Sequence, residues 1–128
     1  MNAMRAMKQY QQVGVQSEVF EASPHRLIQM LMQGGLERIA QARGAIERNM
    51  FAEKGELIGK AISIVGGLRE PLDHSVGGEL SQNLDRLYEY MQMRLIEANR
   101  ENDIARLDEV AGLLREIKSS WDVIAPVA

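Results

Sequence analysis

The chain has 128 residues, 45% hydrophobic and 26% charged, which fits one globular domain with enough apolar material for its own core. A net charge of -3 with no basic cluster excludes nucleic acid as the main partner, because phosphate recognition needs a basic face. With no cysteine, no apolar run near the ~20 residues of a membrane span and no apolar signal core in residues 1–10, the expectation is a cytoplasmic protein without disulfides, thiolate metal sites or stable membrane insertion.

Residues 1–22 read as an arm. Their apolar residues are sparse, and Met4, Met7 and Tyr10 recur at intervals of three, as on one face of a short helix. So short a helix is marginal alone in water and needs a surface to lie on.

Residues 23–128 read as four amphipathic helices. Ser23 is a good N-cap, and Pro24 follows at the first helical position, where its missing N–H costs nothing. Leu27, Leu31, Ile39, Ala42 and Ile46 then make one stripe, and the first helix should end near Arg48 or Asn49. The second runs from about Ala52 to Arg69 or Glu70, with Leu57, Ile58, Ala61, Ile62, Val65 and Leu68 inward and Pro71 as its stop. Residues 73–78 look like a loop. The third helix starts near Gly78 and carries Leu80, Leu84, Leu87, Met91, Leu95 and Ala98 before ending near Arg100. Asp103 is the N-cap of the fourth, which carries Leu107, Val110, Leu114, Ile117 and Trp121. Long amphipathic segments joined by short connections predict an all-α, antiparallel up-down four-helix bundle.

Many glycines fall inside these helices, among them Gly34, Gly35, Gly44, Gly55, Gly59, Gly66, Gly67 and Gly112. Each costs about 1 kcal/mol against alanine. Close helix approach is one reason to keep them; local looseness that admits a partner helix is another.

No catalytic or metal-binding constellation stands out, and no cofactor is implied. Both histidines, His25 and His74, lie near helix ends or in a loop, and the carboxylates that precede them do not form the Glu-x-x-His pairs of di-iron bundles. Gly55 to Lys60 is one residue short of a phosphate loop and sits within a helical pattern. An all-helical domain without such chemistry is most often a binding module.

Five ordered blocks then resemble the flagellar secretion chaperones of the FliS family over nearly the whole chain. They are Tyr10-Gln11-Gln12-Val13, the segment from Ala22 to Leu31, Gly77 to Leu80 with Asn83-Leu84, the segment from Leu87 to Asn99, and Leu107 through Trp121. Where the family commonly has an aromatic and an acidic residue, Met32 and Gln33 stand here, and Met93 replaces the first of an arginine pair whose second member is Arg94. The resemblance implies a helical bundle that binds the disordered C-terminal segment of flagellin, prevents its premature polymerisation and presents it to the export gate. Some relatives are also linked to an anti-sigma factor, and a generic helical adaptor for such another client is the alternative reading.

Helix-in-groove capture needs several apolar anchors, and methionine adapts its shape well to such surfaces. The expected partner-binding residues are Met7, Tyr10 and Val13 in the arm, Leu27, Met30 and Leu31 in the first helix, and Tyr90, Met91, Arg94 and Leu95 in the third. The arm residues would plug an apolar groove until flagellin displaces them. Tyr88, Met91 and Leu95 share one face and Tyr90 turns away, so Tyr88 should pack inward while Tyr90 and Arg94 stay partly exposed. Ser23, Pro24, Tyr88, Asn99, Asp103 and Trp121 are expected to be structural. The free protein would be a monomer or a weak homodimer.

Overall fold

The computed structural model describes residues 22–72 and 74–124, and among them every regular element is a helix. These are α1 (Pro24–Glu47), α2 (Phe51–Arg69), α3 (His74–Glu101) and α4 (Ile104–Asp122).

The helix ends follow from local chemistry. Ser23 adopts an extended backbone, and its hydroxyl accepts from the Arg26 N–H at 3.1 Å, with Pro24 opening the helix. Asp103 does the same for α4, its carboxylate accepting from the Arg106 N–H at 3.3 Å. α1 and α3 stop by one device. Asn49 (φ 58°) and Asn102 (φ 53°) are left-handed, which asparagine tolerates better than most side chains. The next N–H turns back onto the helix, Met50 to the Ala45 carbonyl at 2.8 Å and Asp103 to the Ala98 carbonyl at 3.0 Å. This reversal satisfies last-turn carbonyls and lets the following helix start at once.

Each helix packs on its neighbour in sequence, and α1 also packs on α4, which closes the ring. The directions are antiparallel. The start of α1 meets the end of α4 through His25 and Trp121, and the end of α1 meets the start of α4 through Arg43 and Asp108. Leu31, Ile39, Ile58, Ile64, Met91, Leu95, Leu107 and Leu114 lie fully inside. Each such side chain contributes about 1.5–3 kcal/mol before the entropy of ordering it is set against the gain.

Gly35 is closed in by both neighbouring helices: a Cβ there would sit 3.1 Å from Leu114 of α4 and 3.4 Å from Ile64 of α2. Close approach thus accounts for Gly35. It does not account for Gly59 or Gly112, where a Cβ would meet nothing within 4 Å.

Three features depart from the sequence reading. α3 begins earlier, with a helical turn over 74–77 that breaks at Gly78 (φ 56°, ψ -131°), a conformation that glycine reaches without a Cβ clash. Leu80 continues the apolar stripe of α3 yet is 69% exposed. The register explains it: the last residue of α2, Arg69, already meets Asp85, so no α2 wall reaches Leu80. Ile64, absent from the expected stripe of α2, is fully buried, whereas Leu57 and Ile62 pack only at the core's edge.

Candidate protein-docking surface

The residues expected to bind a partner separate into three groups. Met7, Tyr10 and Val13 lie outside the described residues. Leu27, Met30, Leu31, Met91 and Leu95 are core residues. Apolar side chains at three-four spacing on a bundle helix face its neighbours, so in this conformation these five are core rather than exposed surface.

Tyr90 and Arg94 are half-buried, as expected, but already engaged across the α3–α4 seam. The Tyr90 hydroxyl donates to Glu109 Oε2 at 2.6 Å. Arg94 donates through Nε to Glu109 Oε1 at 2.8 Å and through Nη1 to Glu97 Oε1 at 2.9 Å. Its guanidinium lies 5.8 Å from the Tyr90 ring centroid. Arg106 extends the network to Glu101 at 2.8 Å and Asp103 at 3.3 Å. The hydrogen bonds from Tyr90 and Arg94 hold the Glu109 carboxyl below its ordinary pKa, and the bond to Arg106 does the same for Glu101.

The residues expected to be structural are placed as follows. Ser23, Pro24 and Asp103 form helix starts. Tyr88 packs inward, and burial pushes its hydroxyl up to about 12. Trp121 stacks on His25 with ring centroids 4.9 Å apart. The indole N–H donates to the His25 carbonyl and His25 Nε2 donates to the Trp121 carbonyl, both at 3.0 Å. Asn99 serves through its main chain: the Lys54 ammonium donates to its carbonyl at 2.8 Å.

The other side of α3 is different. The α2 face toward α3 carries Gly55, Gly59, Ile62 and Gly66, placed there by Gly55 near Asn99, Gly66 near Gln92, and the Gln92 amide on the Ile62 carbonyl. From α3, Ile96 falls between Gln92 and Asn99 on the same side, with Met93 beside it. Ile96 is 52% and Met93 51% exposed, and Phe51 is 45% exposed at the α1–α2 turn. A Cβ on Gly55 would come no closer than 3.7 Å to Asn99 Oδ1, and one on Gly59 would meet nothing. The α2–α3 seam is therefore a shallow furrow with a glycine floor and an apolar rim.

Sequence reasoning missed this furrow. Gly55 and Gly59 stood out as in-helix glycines and as a failed phosphate loop, without being joined to the apolar residues of α3. The usable signal was their spacing of four, which puts both on one helix face. Lys54 was missed because a buried lysine is rare.

Among the described residues no group of three His, Cys, Asp or Glu side chains could hold a metal ion, and no helix is long and apolar enough to cross a membrane. A helical core with an exposed apolar rim along the α2–α3 seam is a surface of the kind found in protein-binding helical bundles.

Comparison with known proteins gives that class its family. Residues 6–128 match the family model described as flagellar protein FliS, and the chain belongs to the FliS family. It is 67% identical over 125 residues to the flagellar secretion chaperone FliSB of Pseudomonas aeruginosa, covering 98% of this chain and 99% of that one. It is 45% identical over 123 residues to the flagellar secretion chaperone FliS of Salmonella typhimurium, covering 95% and 91%. With the chaperone of the same name from Vibrio cholerae it shares 42% identity over 121 residues, covering 94% and 89%.

Proposed function

We propose that this protein is a cytoplasmic chaperone of flagellar export, that its client is flagellin, and that the flagellin C-terminal segment docks as an amphipathic helix in the furrow between α2 and α3. The family membership supports the chaperone role. The furrow itself carries the mode of binding. Ile96, Met93 and Phe51 remain about half exposed beside a floor on which Gly59 meets no neighbour. Helix-interior glycine is costly, and at Gly59 the free bundle gives it no packing reason. A helix from a partner would supply one, burying the apolar rim and lying close to the glycine backbone.

The rest of the proposal concerns the arm. Met7, Tyr10 and Val13 act as a displaceable cover for apolar client-binding surface, and Tyr90 and Arg94, held in the α3–α4 seam, would touch only a client segment that continues across α3 beyond the furrow. A client that reached Met30, Leu31, Met91 or Leu95 would have to part the helices first.

Titration calorimetry with a synthetic peptide of the flagellin C-terminal segment tests the reading. Saturable one-to-one binding is expected, and removal of residues 1–15 should change the affinity. A peptide that gives no binding heat and causes no shift in melting temperature would sink it.

A further inference from the structure

We infer that Lys54 and Gln92 are positioning residues that hold the α2–α3 furrow at a set width for its occupant. The inference rests on the furrow being the docking site.

The starting observation is a contrast among the cations. Arg69, Arg94, Arg106 and Lys118 are all well covered, and each faces a carboxylate. Lys54 is buried further than any of them, at 7% exposure, and its hydrogen-bond partner is the main-chain carbonyl of Asn99 at 2.8 Å. A carboxylate sits on a movable side chain. A main-chain carbonyl is part of the helix itself. Lys54 thus sets the spacing between its own helix and the backbone of α3.

Gln92 makes the reciprocal connection. It projects from α3, and its amide N–H donates to the Ile62 carbonyl of α2 at 3.2 Å. Its own oxygen accepts from Arg69 Nη1 at 2.9 Å, and Arg69 is held in turn by Asp85 at 2.7 Å. Gly66 leaves the room this needs, since a Cβ there would stand 3.3 Å from the Gln92 amide nitrogen.

The two struts bracket the furrow floor. Lys54 immediately precedes Gly55, and Ile62 lies three residues beyond Gly59. The span from 54 to 62 is about 12 Å of helix, roughly two turns. On the core side of that span Ile58 and Ala61 already pack against the bundle interior; on its outer side little side-chain bulk fills the seam, and the exposed Ile96 would gain burial if its outer edge closed onto the glycines. Two long polar side chains anchored to main chain on opposite helices prevent that closure. A groove held open in advance binds more tightly than one that must be opened by its ligand.

The test uses the full chain and the flagellin C-terminal peptide, with Lys54→Met and Gln92→Met separately and together. Methionine keeps much of the apolar length and loses the donor. Each single variant should bind the peptide about tenfold more weakly at a temperature where melting curves show it fully folded, and the double variant more weakly still. Lys54→Arg, which restores a donor, should recover most of the affinity. Should Lys54→Met fail to fold, Gln92→Met, at a half-buried position, carries the test alone. Folded methionine variants that bind as wild type does would overturn the inference and leave the docking site standing. So would an affinity loss no larger than the unfolded fraction explains. A wild-type chain that ignores the peptide would remove the function reading, and the struts' role with it.

Discussion

The two sides of α3 are built on opposite plans. Toward α4 the seam is filled: Tyr90, Arg94, Glu97, Glu101, Arg106 and Glu109 interlock across it. Toward α2 the bridging bonds are gathered at Lys54–Asn99 and at Arg69–Asp85–Gln92–Ile62, with glycine between them. Single surface ion pairs add little stability. A shared network fixes the register of two helices and occupies the space a partner would need. The difference separates a seam filled by the chain's own side chains from one whose outer face stays open, the face proposed above to take the client.

Two glycines sharpen that comparison from opposite directions. Gly35 is closed in by Leu114 and Ile64, so Gly35→Val should overpack the core and destabilise the chain by about 1–3 kcal/mol in urea or thermal unfolding. Gly59 faces open furrow, so Gly59→Ala should raise stability by about 1 kcal/mol through helix propensity alone. The same substitution should weaken flagellin-peptide binding in calorimetry, because the methyl group occupies the floor. Stability and binding would then move in opposite senses. If Gly59→Ala stabilises the chain with no loss of affinity, the glycine is not reserved for a partner.

Most of the fold was legible in the sequence because it rests on local rules. Ser23, Pro24 and Asp103 announce helix starts by their own chemistry, and the three-four spacing of Leu107, Val110 and Leu114 marks a buried face wherever the helix lies. What failed needed a neighbour's position. Leu80 has the right spacing to be buried, but α2 ends before reaching it. Tyr90 was correctly placed outside the core, yet its bond to Glu109 depends on the α3–α4 register, which no single helix encodes. Nothing in α2 alone marks Lys54 for burial, and only the antiparallel pairing of α2 with α3 brings the Asn99 carbonyl to it. The client surface was sought among apolar side chains, while the furrow owes its shape to their absence at Gly55 and Gly59.

Acid should separate the two seams. Glu109 and Glu101 have pKa values depressed below the ordinary 4.5 by Tyr90, Arg94 and Arg106. Carboxyls depressed on folding contribute stability that is full above that ordinary value and is lost as pH falls through their folded-state pKa. The α3–α4 seam therefore weakens below about pH 4.5; in the α2–α3 seam the carboxylates, Asp85 and Glu89, are gathered on Arg69 at its end, and between Gly55 and Ile62 the Lys54 and Gln92 struts end on main-chain carbonyls that do not titrate in this range. Amide exchange, corrected for the intrinsic rate at each pH, should show α4 around Leu107–Leu114 losing protection first, while α2 between Gly55 and Ile62 keeps it longer. Glu109→Gln should flatten this pH dependence and lower the melting temperature at neutral pH, because a neutral amide cannot pair with Arg94 as a charge. Simultaneous loss of protection in α2 and α4 would mean that the two seams open as one unit, and that the contrast in their chemistry does not reach their stability.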